Sequence, residues 1–373
     1  MTRDTVRKIA AGYGHGYYVD KARAGEKTTE LWTELGEKGF LGINIPQAYG
    51  GGGMGITELA IVSEELSAVG CPLMMLVVSP GVIGSILSRH GTDEQKQTWL
   101  PGMATAKTKM AFALTEPDAG SNLHNLSTVA KRDGDNYRIS GSKCYISGAD
   151  EANAILVVAR TEKEDSEAGR ISLFIVDPEA HGLDISVIPM EIVAPEKQCL
   201  VFLDDVVVGP DRLVGTEPDG LRQLFTGLNP ERITVAAIGN GIGLYALRKA
   251  AGYARERKVW NDPIGAHQGL SHPLAKAKIE VELARLMTAK AGWLFDAGLD
   301  AAEAANICKY AAAEAALTAM DQAIQIHGGS GLASEYGLSD LWGMTRILRT
   351  APVSREMILN FVARHSLGLP KSY

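Results

Sequence analysis

Residues 113–122, ALTEPDAGSN, stand where the texture of this chain changes. Alone they read as a polar loop opening a turn. Gly120 permits close backbone approach, and the Ser121 hydroxyl can donate to an anionic oxygen. From about 109 to 214, short β-rich runs at 137–139, 154–159, 171–176 and 200–208 alternate with turn signals. Asp133-Gly134-Asp135-Asn136 has the composition of a hairpin connection. Six or seven such strands predict a small β-barrel or sandwich of about 100 residues.

Outward from this block the chain reads as helix. In 28–37 and 57–69, Leu31, Leu35, Leu59, Val62 and Leu66 recur at three- and four-residue spacing. Four consecutive glycines, Gly50 to Gly53, read as a mobile loop that enters a helix at Thr57. After about 217, the segments 230–260, 273–297 and 301–325 are long and periodic. The last is alanine-rich, so neighbouring helices can approach closely, and Gly328-Gly329 is a helix stop. Gly239-x-Gly241-x-Gly243 lies inside a helix with no strand before it, so it predicts helix packing and not a dinucleotide loop. The expected fold is mainly α with a central β domain: an N-terminal helical domain (1–108), the β domain (109–215), and a C-terminal bundle of four to five helices (216–373).

The chain has 373 residues, 46% hydrophobic and 22% charged, with a net charge of −7. No basic excess exists to neutralise phosphates, so nucleic acid is not an expected partner. Cys71, Cys144, Cys199 and Cys308 form no C-x-x-C pair and read as reduced thiols, not a disulfide framework or a metal site. No window approaches the ~20 apolar residues of a membrane span, and the N-terminus lacks an apolar signal segment. A cytoplasmic protein is expected.

The decapeptide resembles the T-E-P-x-A-G-S-D signature of the acyl-CoA dehydrogenase family, with Asn122 in place of the usual aspartate. Gln325-Ile326-His327-Gly328-Gly329-Ser330-Gly331 is similar to the family's second signature, and the likeness extends over essentially the whole chain. It implies FAD as cofactor. Thr115 would bond the isoalloxazine ring, with Gly120 and Ser121 at the pyrophosphate turn. Lys143-Cys144-Tyr145-Ile146-Ser147-Gly148 resembles the family's K-x-W-I-T-N. Tyr145 then stands where an indole packs on the flavin, and Ser147 where a threonine bonds N5. Tyr253 to Trp260 resembles Y-x-x-x-R-x-x-F. Arg257 would reach a neighbouring subunit's FAD pyrophosphate, a task suited to a guanidinium fork. Trp260 and Gln268 add nucleotide contacts. Gln325, Gly328 and Gly329 would approach the partner's adenylate half, with Ser354 and Glu356 completing the contact. The resemblance implies a homodimer or homotetramer, with a heterotetramer as the alternative.

The catalytic base departs from the common pattern. Most of the family carries a glutamate in a Y-E-G-T segment, where this chain has Ala351-Pro352-Val353-Ser354. A minority, similar to the isovaleryl and long-chain enzymes, places the base at the start of the first bundle helix. Glu231 of Asn229-Pro230-Glu231-Arg232 falls there, and Ser121, Asn229 and Arg232 fall at substrate-side positions. Read locally, Asn229 is an N-cap, Pro230 suits N1, and Glu231 is a first-turn acid stabilised by the helix dipole. Proline has no N–H, so one donor to a thioester carbonyl would be missing, unless Pro352 opens a helix and frees the N–H groups of Val353 and Ser354. The resemblance implies oxidation of an acyl-CoA to the trans-2-enoyl-CoA in lipid metabolism, with electrons leaving to an electron-transfer flavoprotein. An acyl-CoA oxidase or flavin monooxygenase, and a non-catalytic FAD-binding subunit, stay open. Met74, Met75 and Leu76 read as acyl pocket or adaptable core.

Overall fold

The computed structural model describes residues 2–163 and 166–371. The N-terminal helices are α1 (Thr2–Ala11), α2 (Gly14–Ala24), α3 (Thr29–Glu37) and α4 (Ile56–Ala68). Between α3 and α4 the glycine run is pinned rather than free. Gly53 N and Met54 N donate to the carbonyls of Ile45 and Ile43, both at 2.9 Å. A Cβ on Gly51 would lie 2.1 Å from the Ile45 carbonyl, so glycine is required by this close approach. α4 is capped from far along the chain: the Asp296 carboxylate accepts from Ile56 N (2.8 Å), Thr57 N (3.0 Å) and Thr57 Oγ1 (2.6 Å).

α5 (Met74–Leu76) runs through a π-helical segment (Val77–Ile83) into α6 (Gly84–His90). Pro80 sits in the π segment, where the missing N–H is absorbed by the irregular ladder. α7 (Asp93–Ala104) starts with a capping box, Thr92 Oγ1 accepting from Gln95 N and Gln95 Oε1 from Thr92 N.

The β domain consists of β1 (Met110–Ala113), β2 (Val129–Asp133), β3 (Asn136–Ser147), β4 (Ala154–Lys163), β5 (Ser166–Val176), β6 (Leu183–Ile188), β7 (Gln198–Val208) and β8 (Leu213–Val214). Among the described residues they make one sheet in the order β6-β7-β3-β2-β4-β5-β8, with β1 parallel to β4. The hairpin read from Asp133 to Asn136 joins β2 and β3 in antiparallel register. β4 explains its own unbroken apolar run. Leu156 and Val158 face a core with Ile83, Ile86, Leu100 and Leu224, while Ile155, Val157 and Ala159 face one with Ile139, Phe174 and Val201. A strand buried on both faces does not alternate.

The C-terminal part holds α8 (Gly220–Glu256), α9 (Gln268–Asp296), α10 (Ala302–His327), α11 (Ser339–Ile347) and α12 (Arg355–Phe361). Gly239, Gly241 and Gly243 of α8 serve packing, as expected. A Cβ on Gly241 would meet the Glu64 carbonyl at 2.3 Å and one on Gly243 would meet Val281 at 2.8 Å, while Gly239 lies over Ala312. α1–α4 and α8–α11 bury a single hydrophobic core, running from Leu31 and Leu59 to Ile238, Ala312 and Leu341. No helix among the described residues is long and apolar enough to cross a membrane, and all four cysteines are free and buried.

Candidate active site

The two signature segments of the β domain are joined by a buried ion pair. Lys143 Nζ lies 2.8 Å from Glu116 Oε1, with side-chain exposures of 0% and 1%. The same ammonium donates to the Leu114 carbonyl, and Glu116 also accepts from Ser127 N, Ser127 Oγ and Thr128 N. Burial alone would raise the Glu116 carboxyl, but Lys143 and these donors outweigh it and hold it at about 2. One residue along, Cys144 N donates to the Thr115 carbonyl at 2.9 Å. Thr115 and Tyr145 are therefore set side by side.

Tyr145 occupies a break in the β3–β7 register between Lys143 and Ile146, with φ 57°. A left-handed tyrosine is strained, and bulges re-aim side chains. Here the ring is turned out of the sheet, 61% exposed. Ser147 follows, its Oγ accepting from Gln198 Nε2 at 2.9 Å. Gly148 (φ 67°) lies on Met75, whose Sδ would be 2.5 Å from a Cβ there. Met75 and Leu76 are buried, so the methionine run supports the floor beneath Ser147. Gly120 and Ser121 are exposed on the loop after β1, and no atom lies within 4 Å of a Cβ on Gly120.

Glu231 is not where the local rules put it. α8 begins at Gly220, so Asn229 is no N-cap, Pro230 lies inside the helix, and Glu231 is in the fourth turn. The dipole argument for an acidic first turn does not apply. Burial instead pushes the Glu231 carboxyl up to about 7, against the pull of Arg232 and Lys309. Asn229 Oδ1 and the Leu228 carbonyl both accept from Arg232 Nη1, at 3.1 and 3.2 Å. Among the described residues, Arg232 Nε is buried without a hydrogen-bond partner.

Lys309 escaped the sequence reading. Its signal was present: it falls on the stripe of Ala305, Ala312 and Ala316, all buried on α10, where a lysine has no solvent to reach. Its ammonium donates to the Val353 carbonyl. Pro352 follows a cis peptide bond and does not open a helix; α12 starts at Arg355, with Ser354 as N-cap accepting from Met357 N. The N–H groups of Val353 and Ser354 have no acceptor among the described residues. Ser354 and Glu356 line a cavity of about 230 Å³ with Arg346, Arg349, Thr350 and Arg355.

The remaining predicted residues gather at one end of the bundle. Arg257 caps the C-terminus of α8, and its carbonyl accepts from Ile264 N. Gln268 opens α9; Gln325, Gly328 and Gly329 are exposed at the end of α10. Tyr253 stacks on His327 at 4.3 Å, which ties the two helix ends together. Trp260 is 80% exposed. Among the described residues no hydrogen bond, ion pair or ring contact connects this group with Thr115, Tyr145 or Ser147.

The exposed Tyr145 ring, the hydroxyls of Thr115 and Ser147 and the open turn at Gly120 are groups that could hold an isoalloxazine and its diphosphate. A half-buried carboxyl near neutrality, the half-buried Arg232 beside it on α8 and the buried Lys309 on α10 stand on the neighbouring helices. Together they are what a flavin-dependent oxidoreductase of helical–β–helical build would need. The known proteins agree: the acyl-CoA dehydrogenase N-terminal domain matches residues 1–107, its middle domain 111–206 and its C-terminal domain 218–367. The acyl-CoA dehydrogenase FadE12 of Mycobacterium tuberculosis is 55% identical over 373 residues, covering 100% of this chain and 96% of the relative. A solved chain described as the electron transferring flavoprotein of Acidaminococcus fermentans superposes with TM-score 0.94 at 28% identity, covering 98% of this chain and 97% of that one. The FAD complex of PigA gives 0.92 at 25% identity, with 99% and 97% covered. The chain belongs to the acyl-CoA dehydrogenase family. It is an oxidoreductase, and FAD is its cofactor.

Proposed function

We propose that this enzyme converts an acyl-CoA thioester to the trans-2-enoyl-CoA with Glu231 as general base. The observation that carries the reading is the Glu231 carboxyl, held at about 7 by burial and flanked by Arg232 and Lys309. A carboxylate poised there takes an α-proton efficiently at neutral pH, and the flanking cations favour the anion that proton loss creates. Bound FAD supplies the two-electron acceptor for the β-hydrogen. Ser121, Asn229 and Arg232 lie on the substrate side, and the free N–H groups of Val353 and Ser354 replace the donor that Pro352 lacks.

In this reading Thr115, Gly120, Ser121, Tyr145 and Ser147 hold the flavin of their own chain. Arg257, Trp260, Gln268, Gln325, Gly328, Gly329, Ser354 and Glu356 serve the nucleotide half in a second copy. The lack of contact, among the described residues, between the bundle-end residues Arg257, Gln268, Gln325, Gly328 and Gly329 and the β-domain group supports this division for them. So does the exposed apolar stripe Ile279, Leu283, Leu286 and Trp293 on α9, which a further copy would cover. An electron-transfer flavoprotein is the acceptor in this reading, supported by the family and by the close fold of the Acidaminococcus chain.

Anaerobic flavin bleaching across acyl-CoAs of different length and branching tests the reaction and names its substrate. Glu231→Gln, which removes the proton acceptor at constant volume, should keep the flavin and lower bleaching by ~10²–10⁴-fold. Pro352 favours one second reading, a FAD-binding subunit that needs a catalytic partner. Absence of bleaching by every acyl-CoA in the purified wild-type chain would select it.

A further inference from the structure

Lys309 is 1% exposed, and among the described residues its ammonium is held only by the neutral Val353 carbonyl. A charge so placed is costly to bury. Burial pushes the amine down to about 8, with Arg232 adding to the effect and Glu231, Glu314 and Glu356 opposing it. The carbonyl belongs to the connection between α11 and α12. That connection is tied to α10 again at Glu314, 2.7 Å from Arg349 and 3.8 Å from Arg355. Residues 309 and 314 thus grip it at two points. In a trans peptide the C=O and N–H point in opposite directions. Holding the Val353 carbonyl on α10 therefore turns the Ser354 N–H away from α10, and this is a donor beside the position where Pro352 offers none.

We propose that Lys309 is a positioning residue for the dehydrogenation. Its ammonium orients the Val353–Ser354 peptide and supplies the positive charge that lets Glu231 ionise. The inference rests on Glu231 being the base. The charged groups facing Glu231 are Arg232 on its own helix and Lys309 from α10. Those facing Lys309 are Glu231 and Arg232 from α8, Glu314 on α10 and Glu356 from α12. Removing Lys309 leaves Arg232 as the cation on the base among the described residues.

The test compares the FAD-loaded full chain with Lys309→Gln and Lys309→Met, reading flavin content, KM, kcat and the pH dependence of kcat/KM with the best wild-type acyl-CoA. Both variants should keep FAD. In both the midpoint pH should rise by about one unit, a loss of about tenfold below the midpoint. Glutamine keeps a donor for Val353 and should leave KM near wild type. Methionine removes it and should raise KM about fivefold. Lys309→Arg should restore the midpoint. An unchanged midpoint in Lys309→Gln overturns the inference, and so does loss of flavin from both variants, which would make Lys309 a folding residue. Glu231→Gln run alongside separates the two levels. Turnover in that variant removes the base assignment itself, whereas a dead Glu231→Gln with unshifted Lys309 variants removes only the role of Lys309.

Discussion

Lys143→Met keeps the stem of the side chain and removes the ammonium that holds Glu116, with both groups shut off from solvent. Breaking one partner of a buried pair costs about 3–5 kcal/mol. Glu116 keeps its bonds to Ser127 N (2.6 Å), Ser127 Oγ (2.7 Å) and Thr128 N (3.0 Å). The loss should therefore fall at the lower end, about 3 kcal/mol at pH 7. The pH dependence has a definite sign. The Glu116 carboxyl is held at about 2, below its ordinary 4.5. The pair's contribution is thus complete above pH 4.5 and disappears as pH falls toward 2. The gap between wild type and variant should start to narrow by pH 4. Urea unfolding followed by far-UV circular dichroism at pH 7 and pH 4 measures both quantities. Flavin absorbance should fall as well, because the pair sets Thr115 beside Cys144 and Tyr145. A loss below 1 kcal/mol at pH 7, or a gap that widens on acidification, would refute this account of how the flavin face is built.

Three further outcomes are expected. With Glu231 as base at about 7, kcat/KM should rise roughly tenfold from pH 6 to pH 8, since the carboxylate is lost as pH falls through the raised value; a flat profile contradicts it. Arg257→Ala should lower the flavin-to-protein ratio while circular dichroism stays unchanged, and a chain that keeps FAD fully as a monomer contradicts the shared site. Chemically reduced flavin should reoxidise in air more slowly than with an electron-transfer flavoprotein, and the reverse order selects the oxidase reading.

The order of helical, β and helical parts was legible because periods of 3.6 and 2 are local properties. So were the helix glycines and the hairpin at Asp133. The first turn at Asn229-Pro230 was misread because capping rules score a segment against isolated helix starts. Here residues 220–228 already bury Gln223, Leu224 and Leu228, and this packing outweighs the one hydrogen bond that Pro230 forfeits. The left-handed Tyr145 left no trace in residue types, because a bulge is a mismatch between two strands far apart in sequence. The glycines at 50–53 look mobile to any composition rule; the carbonyls that pin them belong to Gly42, Ile45, Pro46 and Gln47, just before them. Lys309 could be found as the lysine on the buried stripe of Ala305, Ala312 and Ala316, but the alanines announce only close packing and say nothing of Glu231 and Arg232, which face it from another helix.

The core that α1–α4 share with α8–α11 is interrupted by the β domain only along the chain, not in space. During synthesis this ordering has a cost in time. The apolar face of α4 with Leu59 and Leu66 emerges about 190–200 residues before the end of α8, which packs against it. At ~5–20 residues per second it waits roughly 10–40 s on the ribosome. The β domain, with an interior of its own between Ile139, Phe174 and Val201, can close in the meantime. Vectorial synthesis thus lets the middle close before the beginning, with Asp296 reaching α4 as its cap only late in the chain.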